Sequence, residues 1–226
     1  MSELKNIFGL VIAVLIFIAL LRMVHNAKKE RKGSVDLLFA SVKSLFVSPL
    51  LTAGEAAGTQ QLEGIYAGQA FQLKTIVDTL AVRKLPSLWL MVTLPCAVPV
   101  KAKLDIMLRP AGVTSFSNFD FLDHTIKSPV GFPEFAVLRS DKLAGYADLT
   151  IIKHHIGIFS NPKFKELLIT PQGLRLVLQV AEASRAHYGV LRDARFGEVS
   201  IDRTIVQDAL KTLLALRAAL VEKHIL

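Results

Sequence analysis

The 226-residue sequence has a single cysteine, Cys96. A lone thiol excludes an intramolecular disulfide and a cysteine-rich zinc site, and it suits a reducing compartment. The residues around it, Thr-Leu-Pro before and Ala-Val-Pro after, supply no base to activate the sulfur, so a small buried side chain at a strand end is expected rather than a nucleophile. The motifs that mark common catalysts are also missing. There is no G-x-x-x-x-G-K-[ST] phosphate loop, no G-x-G-x-x-G after a strand, no H-E-x-x-H and no G-x-S-x-G. No repeat with a period of about 20 to 50 residues runs through the chain.

Strong charge of one sign is missing from most of the sequence. Lys and Arg number 27 against 19 Asp and Glu, but half of the resulting +8 falls in the first 33 residues, where Lys5, Arg22, Lys28, Lys29, Arg31 and Lys32 face only Glu3 and Glu30. The remainder is mildly basic, and a nucleic-acid partner is not expected. The stretch RAHYGVLRDARFG interleaves Arg185, Arg192 and Arg195 with Tyr188 and Phe196, loosely like a base-stacking surface. Asp193 and Glu198 dilute it, and it reads as a polar strand face.

What the sequence does have is a long apolar run near its start. Fifteen residues from Ile7 to Leu21, with Leu10, Leu15 and Phe17 among them, carry no polar side chain. A helix of that length rises about 22 Å, short of a hydrocarbon core of about 30 Å. Extension to Val24, with Asn6 at one end and Arg22 snorkelling toward the headgroups, recovers most of the difference. The flanks are the reverse of a secretory signal: the basic cluster Arg22, Lys28, Lys29, Arg31 and Lys32 follows the run, and no small-residue cleavage pattern lies between. The expectation is a retained single-pass anchor over residues 1–33, with the N-terminus outside and everything after it cytoplasmic. The same cluster is placed to touch anionic lipid headgroups, at about 1 kcal/mol per charge near the surface.

Beyond Gly33, Ser34 reads as an N-cap and Leu38, Phe39, Val42, Leu45 and Phe46 as the apolar side of a helix ended by Pro49. Three readings fit Leu38, Phe39, Val42 and Phe46: packing on the domain, a contact for partner membrane subunits, or an interfacial helix. TAGEAAGTQQ, residues 52–61, has a linker's composition. The organisation expected is therefore an anchor (1–33), a juxtamembrane amphipathic helix with linker (34–61) and an α+β domain (62–226).

Within that domain, LEGIYAGQAFQLKTIV predicts two strands joined near Gly68, and residues 87–95 a third. KAKLDIMLR alternates polar Lys101, Lys103 and Asp105 with apolar residues, the pattern of a half-buried strand. Residues 111–132 look like loop, PEFAVLRSD like strand, and residues 147–160 stay open between helix and strand. KELLITPQGLRLVLQVA is a hairpin around Pro171-Gln172-Gly173, and HYGVLRDARFGEVSI adds a further strand. From Asp202 a long helix presents Val206, Leu210, Leu213 and Leu220 on one side. The fold class is α+β: a mainly antiparallel sheet covered by the C-terminal helix.

The most chemical-looking residues are Asp120, Asp123 and His124, with His154 and His155, because carboxylate plus imidazole builds zinc and iron sites. Adjacent histidines on a strand point to opposite faces, and neither a metal nor any other cofactor is expected. The leading expectation is a non-catalytic accessory or assembly subunit that docks a cytoplasmic β-rich domain onto a larger membrane complex. A membrane-tethered enzyme using the Asp/His set, or an anionic-lipid-binding protein, is the alternative.

Overall fold

The structure, a computed structural model, describes residues 17, 18, 22, 37–53, 59–80, 85–185, 194 and 196–225. The chain divides into two units, Met1–Leu38 and Phe39–Leu226. In the first, Phe17, Ile18 and Arg22 are helical and exposed, Leu37 is exposed and Leu38 is buried. The rest of the expected anchor, including Ile7, Leu10, Leu15 and Leu21, and the basic residues Lys28, Lys29, Arg31 and Lys32, lie outside the described residues. Among the described residues no helix is long and apolar enough to cross a membrane.

The second unit is α+β. Its strands are β1 (Val47–Ala53), β2 (Gln60–Tyr66), β3 (Gln69–Asp78), β4 (Ser87–Pro95), β5 (Leu104–Leu108), β6 (His124–Ile126), β7 (Ala136–Ser140), β8 (Phe164–Thr170) and β9 (Gly173–Glu182), and its helices are α1 (Ala40–Lys43), α2 (Leu149–His155) and α3 (Arg203–Ile225). The strands form one sheet in the order β1-β2-β3-β4-β9-β8-β5-β7-β6. Every pairing is antiparallel.

Because paired residues in an antiparallel ladder share a face, the register sorts the side chains into two sets. Leu90, Val92, Leu174, Leu176, Leu167, Ile169, Leu104 and Ile106 fall on one face. Trp89, Met91, Val177, Arg175, Glu166, Asp105, Met107 and Arg139 fall on the other. α3 packs on the first face. Its Arg217 donates to Oε1 of Gln69 at 3.1 Å, and Gln69 shares that face with the buried Phe71 and Leu73. The helix starts where the sequence predicts: Asp202 Oδ1 accepts from the amide of Thr204 at 2.8 Å, satisfying one of the free donors of the first turn. Val206, Leu210, Leu213 and Leu220 are all buried against the sheet side, each worth about 1.5–3 kcal/mol when fully removed from water.

The hairpin β2–β3 with Gly68 in its turn, β4 over residues 87–95, β7, and the β8–β9 hairpin follow the sequence reading. Other elements do not, among them β6, which lies in a stretch that reads as loop. The stretch 34–61, expected as a helix to Pro49 and then a linker, is helical only to Lys43; residues 47–53 are the edge strand β1, and Gln60 and Gln61 already belong to β2. Proline has no N–H to give a ladder, yet an edge strand with a bulge tolerates it. Here the register slips between Val47 and Leu50, and Ser48 takes a left-handed φ of 52° beside Pro49. β5 is buried along its whole length instead of alternating, because β8 and β7 flank it and both faces are covered. Residues 149–155, open between helix and strand in the sequence, are helix, capped by Asp148 Oδ1, which accepts from the Thr150 amide at 2.7 Å. The further strand expected across 187–201 falls mainly outside the described residues, and residues 196–201 are not strand.

Gly173 in the β8–β9 turn sits against the end of β4. A Cβ there would lie 2.6 Å from the carbonyl oxygen of Leu94, a backbone atom fixed in a ladder. Gly173→Ala should therefore cost about 1–3 kcal/mol from overpacking, and thermal unfolding followed by circular dichroism should show a correspondingly lower Tm.

Candidate functional site

The residues singled out from the sequence do not converge. Asp120 lies in the 3₁₀ turn Phe119–Phe121 and pairs with Arg139 at 3.9 Å, and His124 opens β6 at the outer edge of the sheet, opposite Ser140. His154 and His155 are on α2, a helix, so the opposite-faces argument for a strand does not apply to them. Burial, then the neighbouring His154, lowers the pKa of His155 and keeps that imidazole neutral over more of the pH range. Among the described residues no group of three His, Cys, Asp or Glu side chains is placed to hold a metal ion. Cys96 is partly buried; burial raises its pKa, opposed by the nearby Arg217, which is the reverse of an activated nucleophile.

Leu38, Phe39, Val42 and Phe46, the expected partner contact, are all buried within the chain itself. Phe39 and Val42 are fully covered, and Phe46 packs edge-on to Tyr66 with ring centroids 6.3 Å apart. Ser41 Oγ donates to the Ile201 carbonyl at 2.6 Å, and Arg203 donates to Ser44 Oγ, so this segment is tied to the start of α3. Exposed apolar side chains appear further on, along β1: Val47, Leu50 and, opposite Val47 in the register, Ile65.

The structure does bring together two acids that the sequence reading passed over. Asp105 is in the middle of β5 and Glu166 in β8; the register places Met107 opposite Glu166 and Leu168 opposite Asp105, so the two carboxyls are diagonal neighbours on one face. They are 2% and 0% exposed. Ser117, from the segment that crosses this face, sits between them: its hydroxyl is within hydrogen-bond reach of Asp105 Oδ2 at 3.3 Å and of Glu166 Oε1, and it accepts from the Phe119 amide at 3.1 Å. Around them Met91, Met107, Phe116, Phe119 and Val177 form an apolar cluster joined by Ile76, Trp89 and Val137.

The electrostatics follow from that burial. Removal from water pushes the Asp105 carboxyl well above the ordinary aspartate range, and the adjoining Glu166 pushes it further; Arg175 and Ser117 pull the other way. Glu166 is also raised by burial, against the opposing effects of Asp105, Arg175 and Ser117. Arg175 offsets the burial of the pair only in part. Its Nη2 is 4.0 Å from Glu166 Oε2, and its side chain is a quarter exposed. Among the described residues, Asp105 Oδ1, Glu166 Oε2, Trp89 Nε1, Arg139 Nε and Arg175 Nε have no hydrogen-bond partner. Two dry carboxyls this close disfavour ionising together, so the pair favours keeping a proton, with Arg175 at its margin as a partial counter-charge. Alternation with Lys101 and Lys103 assigns Asp105 to a solvent face, and only the nearly unbroken apolar run around it, LDIML, pointed to burial; Glu166 shares its parity with the apolar Phe164 and Leu168.

A carboxyl whose pKa is raised in the fold binds its proton more tightly than in the unfolded chain, where aspartate titrates near about 3.9. Its contribution is fully present below that value and is lost as pH rises through the raised one. The unfolding free energy should accordingly fall as pH increases above about 4, by up to about 1.4 kcal/mol per pH unit from this proton, and the Tm should fall with it. Asp105→Asn should flatten that part of the profile and raise the Tm at alkaline pH, measured by thermal melts across the range.

No protein-family model matches the chain, and no curated protein matches it. Among solved structures it is similar to the crystal structure of the mycobacterial trehalose monomycolate transport factor A, TtfA, with 11% identity over 84% of this chain and 96% of that one, at a TM-score of 0.45.

Proposed function

We propose that the chain is a non-catalytic accessory or assembly subunit, held in the membrane by its N-terminal helix, that docks its β-rich domain onto other membrane proteins from the cytoplasmic side. The observation that carries the docking is β1. This edge strand, VSPLLTA, has no charge, and all of its residues but Leu51 are exposed. Val47 and Leu50 are 66% and 58% exposed and share a face with Ile65 at 44%. Contiguous apolar side chains at a sheet edge are what a partner covers. The apolar run from Ile7 to Leu21 supports the anchor, and the basic residues Arg22, Lys28, Lys29, Arg31 and Lys32 after it support the orientation. The same basic cluster favours contact with anionic headgroups as an addition to this role. A metal-dependent enzyme has weaker support, since Asp120, Asp123, His124, His154 and His155 are spread over β6, its preceding turn and α2.

Val47→Lys with Leu50→Lys leaves the core untouched, so the change in stability should stay within about 0.5 kcal/mol. The full chain purified gently from membranes should lose its co-purifying membrane proteins in this variant. A photocrosslinking residue at position 50 should capture them, and one at the exposed Leu143 should not. A monodisperse monomer that crosslinks to nothing at position 50 contradicts the reading, as does a domain accessible to protease added outside intact cells.

A further inference from the structure

We propose that the segment from Ala111 to Asp123 is a latch over one face of the sheet, locked shut by a single proton held between Asp105 and Glu166 and released when that proton is lost.

The segment contains only one 3₁₀ turn and no strand of its own, so nothing in the sheet ladder holds it. It is fastened at three places. At its start, the Ser115 amide donates to Asp78 Oδ1 at 3.4 Å and its hydroxyl to the Val77 carbonyl at 3.3 Å. At its end, Arg139 Nη1 donates to the carbonyls of Phe119 and Asp120 at 3.4 and 3.1 Å, and the guanidinium lies 5.1 Å from the centre of the Phe119 ring. In the middle, Ser117 reaches both buried carboxyls while the Phe116 ring packs at a tilt against Trp89, centroids 4.8 Å apart.

The middle fastening depends on protons. Ser117 has one hydroxyl hydrogen, and the Phe119 amide already uses one of its oxygen lone pairs. With one proton on the pair, the hydroxyl donates to the ionised carboxylate and the protonated acid has a hydrogen of its own to share. With none, Ser117 serves one carboxylate only; the other faces an oxygen lone pair and a second negative charge in a dry site, an uncompensated burial that costs heavily. The proton goes to bulk water, and the strain is relieved by letting water in. β5 and β8 cannot part, being laddered to each other and to β7 and β9. The segment above them can lift, which uncovers Trp89, Met91, Met107 and Val177.

Among the described residues, the charged groups that act on the pair are Arg175 on β9 and Lys165 beside Glu166 on β8, with Arg139 on β7 opposite Asp105; Asp120 in the segment pairs with Arg139, and Asp78 at the end of β3 holds the segment's start. Arg175 and Lys165 stabilise the ionised form and set where the release falls. Lys165 is occupied with the carbonyls of Leu108 and Arg109, at 2.5 and 2.7 Å, and holds β5 to β8 through the change.

Trp89 is the single tryptophan of the chain and lies under the segment, so it reports the latch directly. In the full chain held in detergent, acrylamide quenching of Trp89 should increase as pH rises, with far-ultraviolet circular dichroism constant. The closed-to-open ratio should fall about tenfold per pH unit once the pair titrates. Asp105→Asn and Glu166→Gln each supply a permanent hydrogen, so both should quench weakly at every pH; either one that folds suffices. A wild-type protein with pH-independent quenching overturns the proposal. So does a transition that survives in the amide variants, one abolished by His124→Gln, or one that coincides with loss of the circular dichroism signal.

Discussion

The fold depends on one constraint: β4, β9, β8 and β5 form the middle of the sheet and carry apolar side chains on both faces, so each face must be covered by something other than strand. One face is leucine and isoleucine, and α3 covers it by simple apolar burial. The other is mixed. It carries Trp89, Met91, Met107 and Val177, but also Asp105, Glu166, Arg175 and Arg139, and its cover is a segment of irregular chain with only a 3₁₀ turn. A cover of that kind brings few backbone partners and must anchor itself by side chains, which is why Ser117 and the aromatic rings of Phe116 and Phe119 do the fastening.

The asymmetry places the polar chemistry on the side with the weaker cover. Burying two carboxyls under a helix would remove them from water for the life of the fold. Under a segment fastened at three points, access to water turns on a few hydrogen bonds, and the free energy of the buried pair is expressed locally before it destabilises the sheet.

β1 shows a second use of irregular backbone. Pro49, the left-handed Ser48 and the slipped register blunt the edge against continued strand pairing, the usual hazard of an exposed edge. What remains available is the side-chain surface of Val47 and Leu50 rather than a row of free amides. A partner that reads this edge therefore does so by apolar contact, which suits the docking role and leaves the sheet closed to addition of another strand.

Much of the secondary structure was legible in the sequence because it is locally determined. The β2–β3 hairpin follows from Gly68, the β8–β9 hairpin from Pro171-Gln172-Gly173, and α3 from Asp202 and its apolar spacing, all features a few residues apart. The elements that were misread depend on neighbours distant in sequence. Pro49 is admissible only because β1 is an edge, β5 is buried only because it is central in the sheet and both of its faces are covered, and Phe39, Val42 and Phe46 are hidden because Tyr66 and the start of α3 pack around that segment. The acid pair belongs to this second kind. Alternation tells which face a side chain takes but not whether that face is wet; Asp105 and Glu166 are separated by 61 positions, and only the pairing of β5 with β8 beneath Ser117 made them one site.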